Sequence, residues 1–142
     1  MKKEKSCGAV ILKNEGGKTR VLLVQMKNGG HFAFPKGHVE GNETEHETAI
    51  REIFEETSLS VDFIEGFRES TEYSPKEGVI KEVVYFLGVP KASDAKRQEE
   101  EILSILWEDE DMAIDKVTFE NDKIVLEKAI SFFKKLDKEQ DL

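Results

Sequence analysis

Between Gly37 and Leu59 the chain reads GHVEGNETEHETAIREIFEETSL, a glycine-bounded loop that hands over to a helix-forming segment. At about 100° per residue, Ala49, Ile50, Ile53 and Phe54 share one stripe of that helix, while Glu52, Glu55 and Glu56 share the opposite one. The first stripe anchors in a core. The second either faces water, as charged helix faces commonly do, or collects hard cations through oxygen ligands. The preceding FPKGHVEGNE places Pro35, Gly37 and Gly41 in a loop whose backbone can approach phosphate.

What the helix packs against is written on either side of it. Ser6–Lys13 and Thr19–Met26 are apolar, β-branched runs joined by NEGGK, the pattern of two strands around a glycine turn. Phe32–Phe34 adds a brief strand before the loop, and the helix spans about Thr44 to Thr57. Ser60–Ser70 and Gly78–Pro90 follow as strands separated by the turn SPKEG, and Ile102–Trp107 is one more. A short helix is expected around Met112. Ile124, Leu126, Ala129, Ile130 and Phe133 then repeat at helical spacing, with a charged tail, KKLDKEQDL, expected to fray. Strands flanked by two helices predict an α/β sandwich with a mixed sheet, one domain over residues 1–142.

The net charge of −9 over 142 residues argues against long nucleic acids as partners, whose binding rests on many Lys or Arg contacts. A small anionic substrate is compatible with an acidic chain once a divalent cation inverts the local sign. No apolar run is long enough to cross a bilayer and MKKEKS lacks an apolar signal core, so a cytoplasmic location without membrane contact is expected. Cys7 is the only cysteine, which rules out an internal disulfide and suits a buried strand position. Oligomeric state is not encoded in any feature of the sequence.

The helical segment resembles the Nudix box, in which glycine, five residues, glutamate and seven residues precede REUxEExGU with U apolar. Gly37, Glu43, Arg51, Glu52, Ile53, Glu55, Glu56 and Leu59 fall on its positions. Ser58 stands where the pattern has its last glycine. The resemblance implies the Nudix α/β/α fold, with the box helix against one face of the sheet. It also implies hydrolysis of phosphoanhydrides with Mg2+, or Mn2+, as cofactor. Glu55 and Glu56 are then the main metal ligands, Glu52 binds metal or orients the attacking water, and Gly37 is a further metal ligand. Arg51 is expected to brace the loop by pairing with Glu43.

Further stretches, SCGAVIL, HFAFPKGHVE and EGFRESTEYSPKEGVIKEVVYFLG, look like the branch of the family that cuts diadenosine tetraphosphate asymmetrically. By that resemblance Glu101 supplies a carboxylate from outside the helix, with Glu100 as the register alternative. Lys36 is placed to meet phosphate as a point charge, and His31 and His38 to bind phosphate or donate a proton to the leaving group. His46 is assigned no role. Tyr73 or Tyr85 offers a ring for adenine while Lys76 or Lys81 meets phosphate, although Tyr85 in VVYFLG equally suits a core. Phe119 is a second candidate wall for the base, or core packing.

The leading expectation is a Mg2+-dependent hydrolase yielding ATP and AMP from diadenosine tetraphosphate. Within the family, a nucleoside triphosphate pyrophosphatase and an RNA 5′ pyrophosphohydrolase are alternatives, since the box handles only the diphosphate bond. A non-catalytic nucleotide-binding module is the alternative of another class.

Overall fold

β1 (Lys2–Glu15) organises the molecule, because it pairs with three other strands. The computed structural model describes residues 2–91 and 102–140. β1 turns back into β2 (Lys18–Met26) as an antiparallel hairpin, and lies parallel to β6 (Val79–Pro90) over residues 2–11 and 79–88. β5 (Val61–Lys76) pairs antiparallel with β6, and β3 (Phe32–Ala33) and β7 (Ile102–Asp109) both pair with β2. β4 (Lys36–His38) lies antiparallel to β1 at Ser6–Gly8. The helices are α1 (Glu45–Thr57), α2 (Glu110–Lys116) and α3 (Glu120–Gln140). The sheet is mixed and carries helices on both faces, the α/β sandwich expected.

Alternation along the central strands divides the core in two. Val10 and Leu12 of β1 join Val83, Tyr85 and Leu87 of β6 under Leu126, Ala129 and Ile130 of α3. Cys7, Ala9 and Ile11 turn the other way, with Val84 and Phe86, to meet Ala49 and Ile53 of α1. Each fully buried Leu or Ile among these contributes roughly 1.5–3 kcal/mol of transfer free energy. Among the described residues, no helix is long and apolar enough to cross a membrane.

Three expectations differ from the structure. The segment read as pure loop contains β4, because the antiparallel pairing with Ser6–Gly8 satisfies backbone groups that a loop would leave to water. Ile50 and Phe54 are exposed at 48% and 56%, whereas Glu56 is buried at 4%. The buried face of α1 centres on Ala49 and Ile53; at about 100° per residue Glu56 falls about 20° from Ala49, and Phe54 about 140° away. Finally, α3 continues through Gln140 where a frayed tail was expected.

Both ends of α1 are closed by side chains and backbone. Thr44 is the N-cap, its hydroxyl accepting from the Glu47 N–H while the Glu47 carboxylate accepts from the Thr44 N–H, a reciprocal capping box. Ser58 ends the helix at φ 62°, donating its N–H to the Phe54 carbonyl. A serine therefore occupies the left-handed conformation for which the box pattern has glycine. Ser58→Gly is expected to stabilise the fold by roughly 0.5–1 kcal/mol, since it removes a Cβ clash. Urea unfolding checks this, and an unchanged or lower midpoint would show that the strain is absorbed elsewhere.

Candidate active site

Arg51 is the hub of the loop that precedes α1. Its Nε and Nη2 donate to the two oxygens of Glu43 at 2.7 and 3.0 Å, and Nη2 also reaches the His38 carbonyl at 2.9 Å. Glu43 accepts further from Thr48 Oγ1 and from the Glu40 N–H, both at 3.0 Å. The Arg51 fork, joined by the Glu40 amide, holds the Glu43 carboxyl down at about 2. A carboxylate depressed in this way contributes stability above its ordinary value near 4.5, and loses it as pH falls from there through about 2.

Removing the fork should therefore loosen the loop. Arg51→Ala is expected to lower Tm by roughly 5 °C or more at neutral pH and to lower turnover with it. It should also flatten the acid limb of stability between pH 4.5 and 2. An unchanged Tm with a large rise in KM would place Arg51 on the substrate instead.

Glu52 and Glu55 lie on the same guanidinium, with Arg51 Nη1 at 2.7 Å from the first and 3.3 Å from the second. Glu55 is about half exposed. Glu56 reaches across to β4, where its Oε1 accepts the Lys36 N–H at 3.1 Å. Gly37, next along β4, faces Glu52 so closely that a Cβ there would overlap the Glu52 carboxylate. Its own φ is one that any residue adopts, so glycine is needed for space and not for backbone freedom.

These donors suit a divalent cation in kind. All are hard carboxylate oxygens, and a buried carboxylate such as Glu56 favours a nearby positive charge. Among the described residues no three acidic, His or Cys side chains converge on one point. Binding an ion through Glu52, Glu55 and Glu56 therefore needs rotation of side chains that now lean on Arg51. Glu101 and Glu100 lie outside the described residues.

On the other side of the sheet edge is a cavity of about 440 Å³ lined by His31, Lys36, Thr71, Tyr73, Val83, Tyr85, Phe119, Glu120, Asn121 and Asp122. Tyr73 and Phe119 are exposed at 45% and 51%, and the His31 ring lies 5.3 Å from that of Phe119. Exposed rings of this kind are surfaces on which a base can stack. Burial and the nearby Lys36 push the His31 pKa down, which favours the neutral ring.

Not every expected contact lies here. Tyr85 is enclosed at 1% exposure, edge-on to Phe34 with its hydroxyl donating to Asp122, so its ring forms floor and core and offers no open plane for stacking. The His38 side chain sits outside the cavity beside Glu4, at 3.5 Å, and Lys76 is exposed at the far end of β5. Lys81 is also outside the lining. Burial and the charge of Lys36 lower its pKa while Glu4 raises it. Thr71, Val83, Glu120, Asn121 and Asp122 belong to the cavity but were not singled out in the sequence. The only available signal was the polar run ENDK at the start of the last helix, which reads equally well as an N-terminal turn.

A carboxylate-bearing helix thus lies beside β4, whose Lys36 also lines the aromatic cavity. Residues 2–128 match the NUDIX domain family, and the chain belongs to that family. It is 32% identical over 139 residues to the bis(5′-nucleosyl)-tetraphosphatase [asymmetrical] of Sus scrofa, covering 90% of this chain and 94% of that protein. The Rattus norvegicus protein of the same name is 31% identical over the same length, with the same coverage. Among solved structures, a Caenorhabditis elegans Ap4A hydrolase binary complex superposes with a TM-score of 0.85 at 29% identity, over 92% of this chain and 98% of that one. The protein is thus a Nudix hydrolase acting on nucleoside polyphosphates, a family that works with divalent metal ions.

Proposed function

We propose that this enzyme hydrolyses diadenosine tetraphosphate asymmetrically, to ATP and AMP, by Mg2+-dependent attack of water on one phosphorus, with Mn2+ able to replace Mg2+. One observation carries the reading: Lys36 joins the two halves of the site. Its N–H is fixed to Glu56 on the carboxylate face while its side chain lines the aromatic cavity. A nucleoside held in the cavity therefore has its phosphates directed past Lys36 toward Glu52, Glu55 and Glu56. The names of the relatives, similar over nearly their whole length, support a dinucleoside tetraphosphate as the substrate.

In this mechanism Tyr73 and Phe119 hold an adenine between their rings, and His31 braces Phe119. Lys36 and Lys81 offset phosphate charge along the chain. Glu52 orients the attacking water, and Arg51 with Glu43 keeps the loop against the helix. Divalent ions held by Glu52, Glu55, Glu56 and Gly37 would supply screening of the phosphate oxygens.

The test is a substrate panel on one preparation: diadenosine tetraphosphate, ATP, ADP-ribose and 5′-triphosphorylated RNA, with Mg2+ and identification of products. Hydrolysis of the dinucleotide in 18O-labelled water is expected to label ATP alone. Two molecules of ADP, or a clear preference for a mononucleoside triphosphate, would refute the assignment and leave the broader family activity in place.

A further inference from the structure

Asp122 stands at the floor of the aromatic cavity, only 6% exposed, on the first turn of α3. The Tyr85 hydroxyl donates to its Oδ1 at 3.1 Å. Oδ2 receives no hydrogen bond from any described residue, although the side chain lines the cavity. A carboxylate oxygen on the cavity wall with no protein donor bonded to it is available to accept one from a ligand. The cavity also carries the Thr71 hydroxyl, the Asn121 amide and the Glu120 carboxylate, but none of these is hydrogen-bonded to Oδ2, which leaves that oxygen open to a donor carried by the ligand. Of the groups on a nucleotide, phosphate repels this carboxylate, while the ribose hydroxyls and an exocyclic amino group on the base edge can donate to it; with the base held between the rings, the base edge is the donor that meets the floor.

We propose that Asp122 is a specificity-determining residue that accepts a hydrogen bond from the exocyclic amino group of a purine held in the cavity, with Tyr85 as the positioning residue that fixes the carboxylate. The inference rests on the cavity being the nucleoside site of the function proposed above. It adds that base choice is made at the floor of the cavity and not by the rings, because stacking accepts every base. Burial raises the Asp122 pKa above the ordinary carboxylate value, and Lys36, Tyr85 and His31 offset that rise only in part.

The test compares equilibrium binding of ATP and purine riboside 5′-triphosphate, which differ only in that amino group, at pH 8 with metal chelated. Wild type is expected to bind ATP more tightly by about 10- to 100-fold, as for a hydrogen bond to a charged group whose loss leaves the acceptor unpaired. Asp122→Asn should reduce that ratio at least several-fold, because a neutral amide oxygen is the weaker acceptor. A double variant, Asp122→Leu with Tyr85→Phe, removes both partners at once and so avoids stranding a buried hydroxyl; there the ratio should approach one. Equal affinities in wild type, no binding of either nucleotide, or an unchanged ratio in both folded variants would overturn the proposal. An enzyme that discriminates in this way but leaves diadenosine tetraphosphate intact keeps the Asp122 assignment and loses the substrate reading, so the two failures are distinguishable.

Discussion

Glu56→Gln is expected to leave the fold intact and to reduce metal-dependent turnover by roughly 10³-fold or more. The side chain is buried, and one of its oxygens accepts the Lys36 N–H at 3.1 Å. Glutamine keeps the volume and can still accept that bond, so the substitution removes charge with little change of shape. If a cation held there lowers the barrier by several kcal/mol, a loss of about three decades follows. Steady-state kcat, read beside the melting curve, checks the expectation. Near-normal turnover in a well-folded variant would remove Glu56 from the metal face.

The second large effect is expected from a single methyl group. In Gly37→Ala the new Cβ would overlap the Glu52 carboxylate, and the backbone cannot retreat because Gly37 is paired with Cys7 in the β1–β4 ladder. Glu52 must then swing away from its place on Arg51 Nη1. Displacement of a reacting group by about 1 Å costs on the order of 10² in rate, so kcat should fall by about that factor. The Glu43–Arg51 fork does not involve the new methyl, and Tm should change little. If kcat is unaffected, Glu52 has a second working position and the glycine serves only the strand.

The Glu43–Arg51 pair was legible only through the resemblance to the box, which implies that its arginine pairs with a loop carboxylate; spacing alone does not fix which side chains meet across a loop. The strands were legible as short, continuous apolar runs rich in β-branched residues, such as AVIL and VLLV, which suit strands buried on both faces. The orientation of α1 was not. A stripe drawn from hydropathy alone assigned Ile50 and Phe54 to the core, yet the helix is turned so that Glu52 and Glu56 meet β4. Polarity favours burying Ile50 and Phe54, but the packing of Ala49 and Ile53 on β1 and the contacts of Glu52 and Glu56 with β4 set the helix the other way. The cavity was half legible: the aromatic residues announced themselves, whereas Asp122 is brought to Tyr85 by the packing of α3, a contact spanning 37 positions that no local pattern encodes.

The parallel register of β1 with β6 has a consequence for how the enzyme is made. Residues 2–11 wait for residues 79–88 before either core can close, and the box helix lies between them in the chain. Contacts of such long sequence separation incur their loop-closure entropy before they gain stability, which slows folding relative to a helical domain of the same size. On a ribosome, the carboxylate helix therefore emerges well before the strand that completes its support. A fragment ending before β6 keeps the box helix with β1 and β4 but lacks Val84 and Phe86, the residues of β6 that complete the core beneath it.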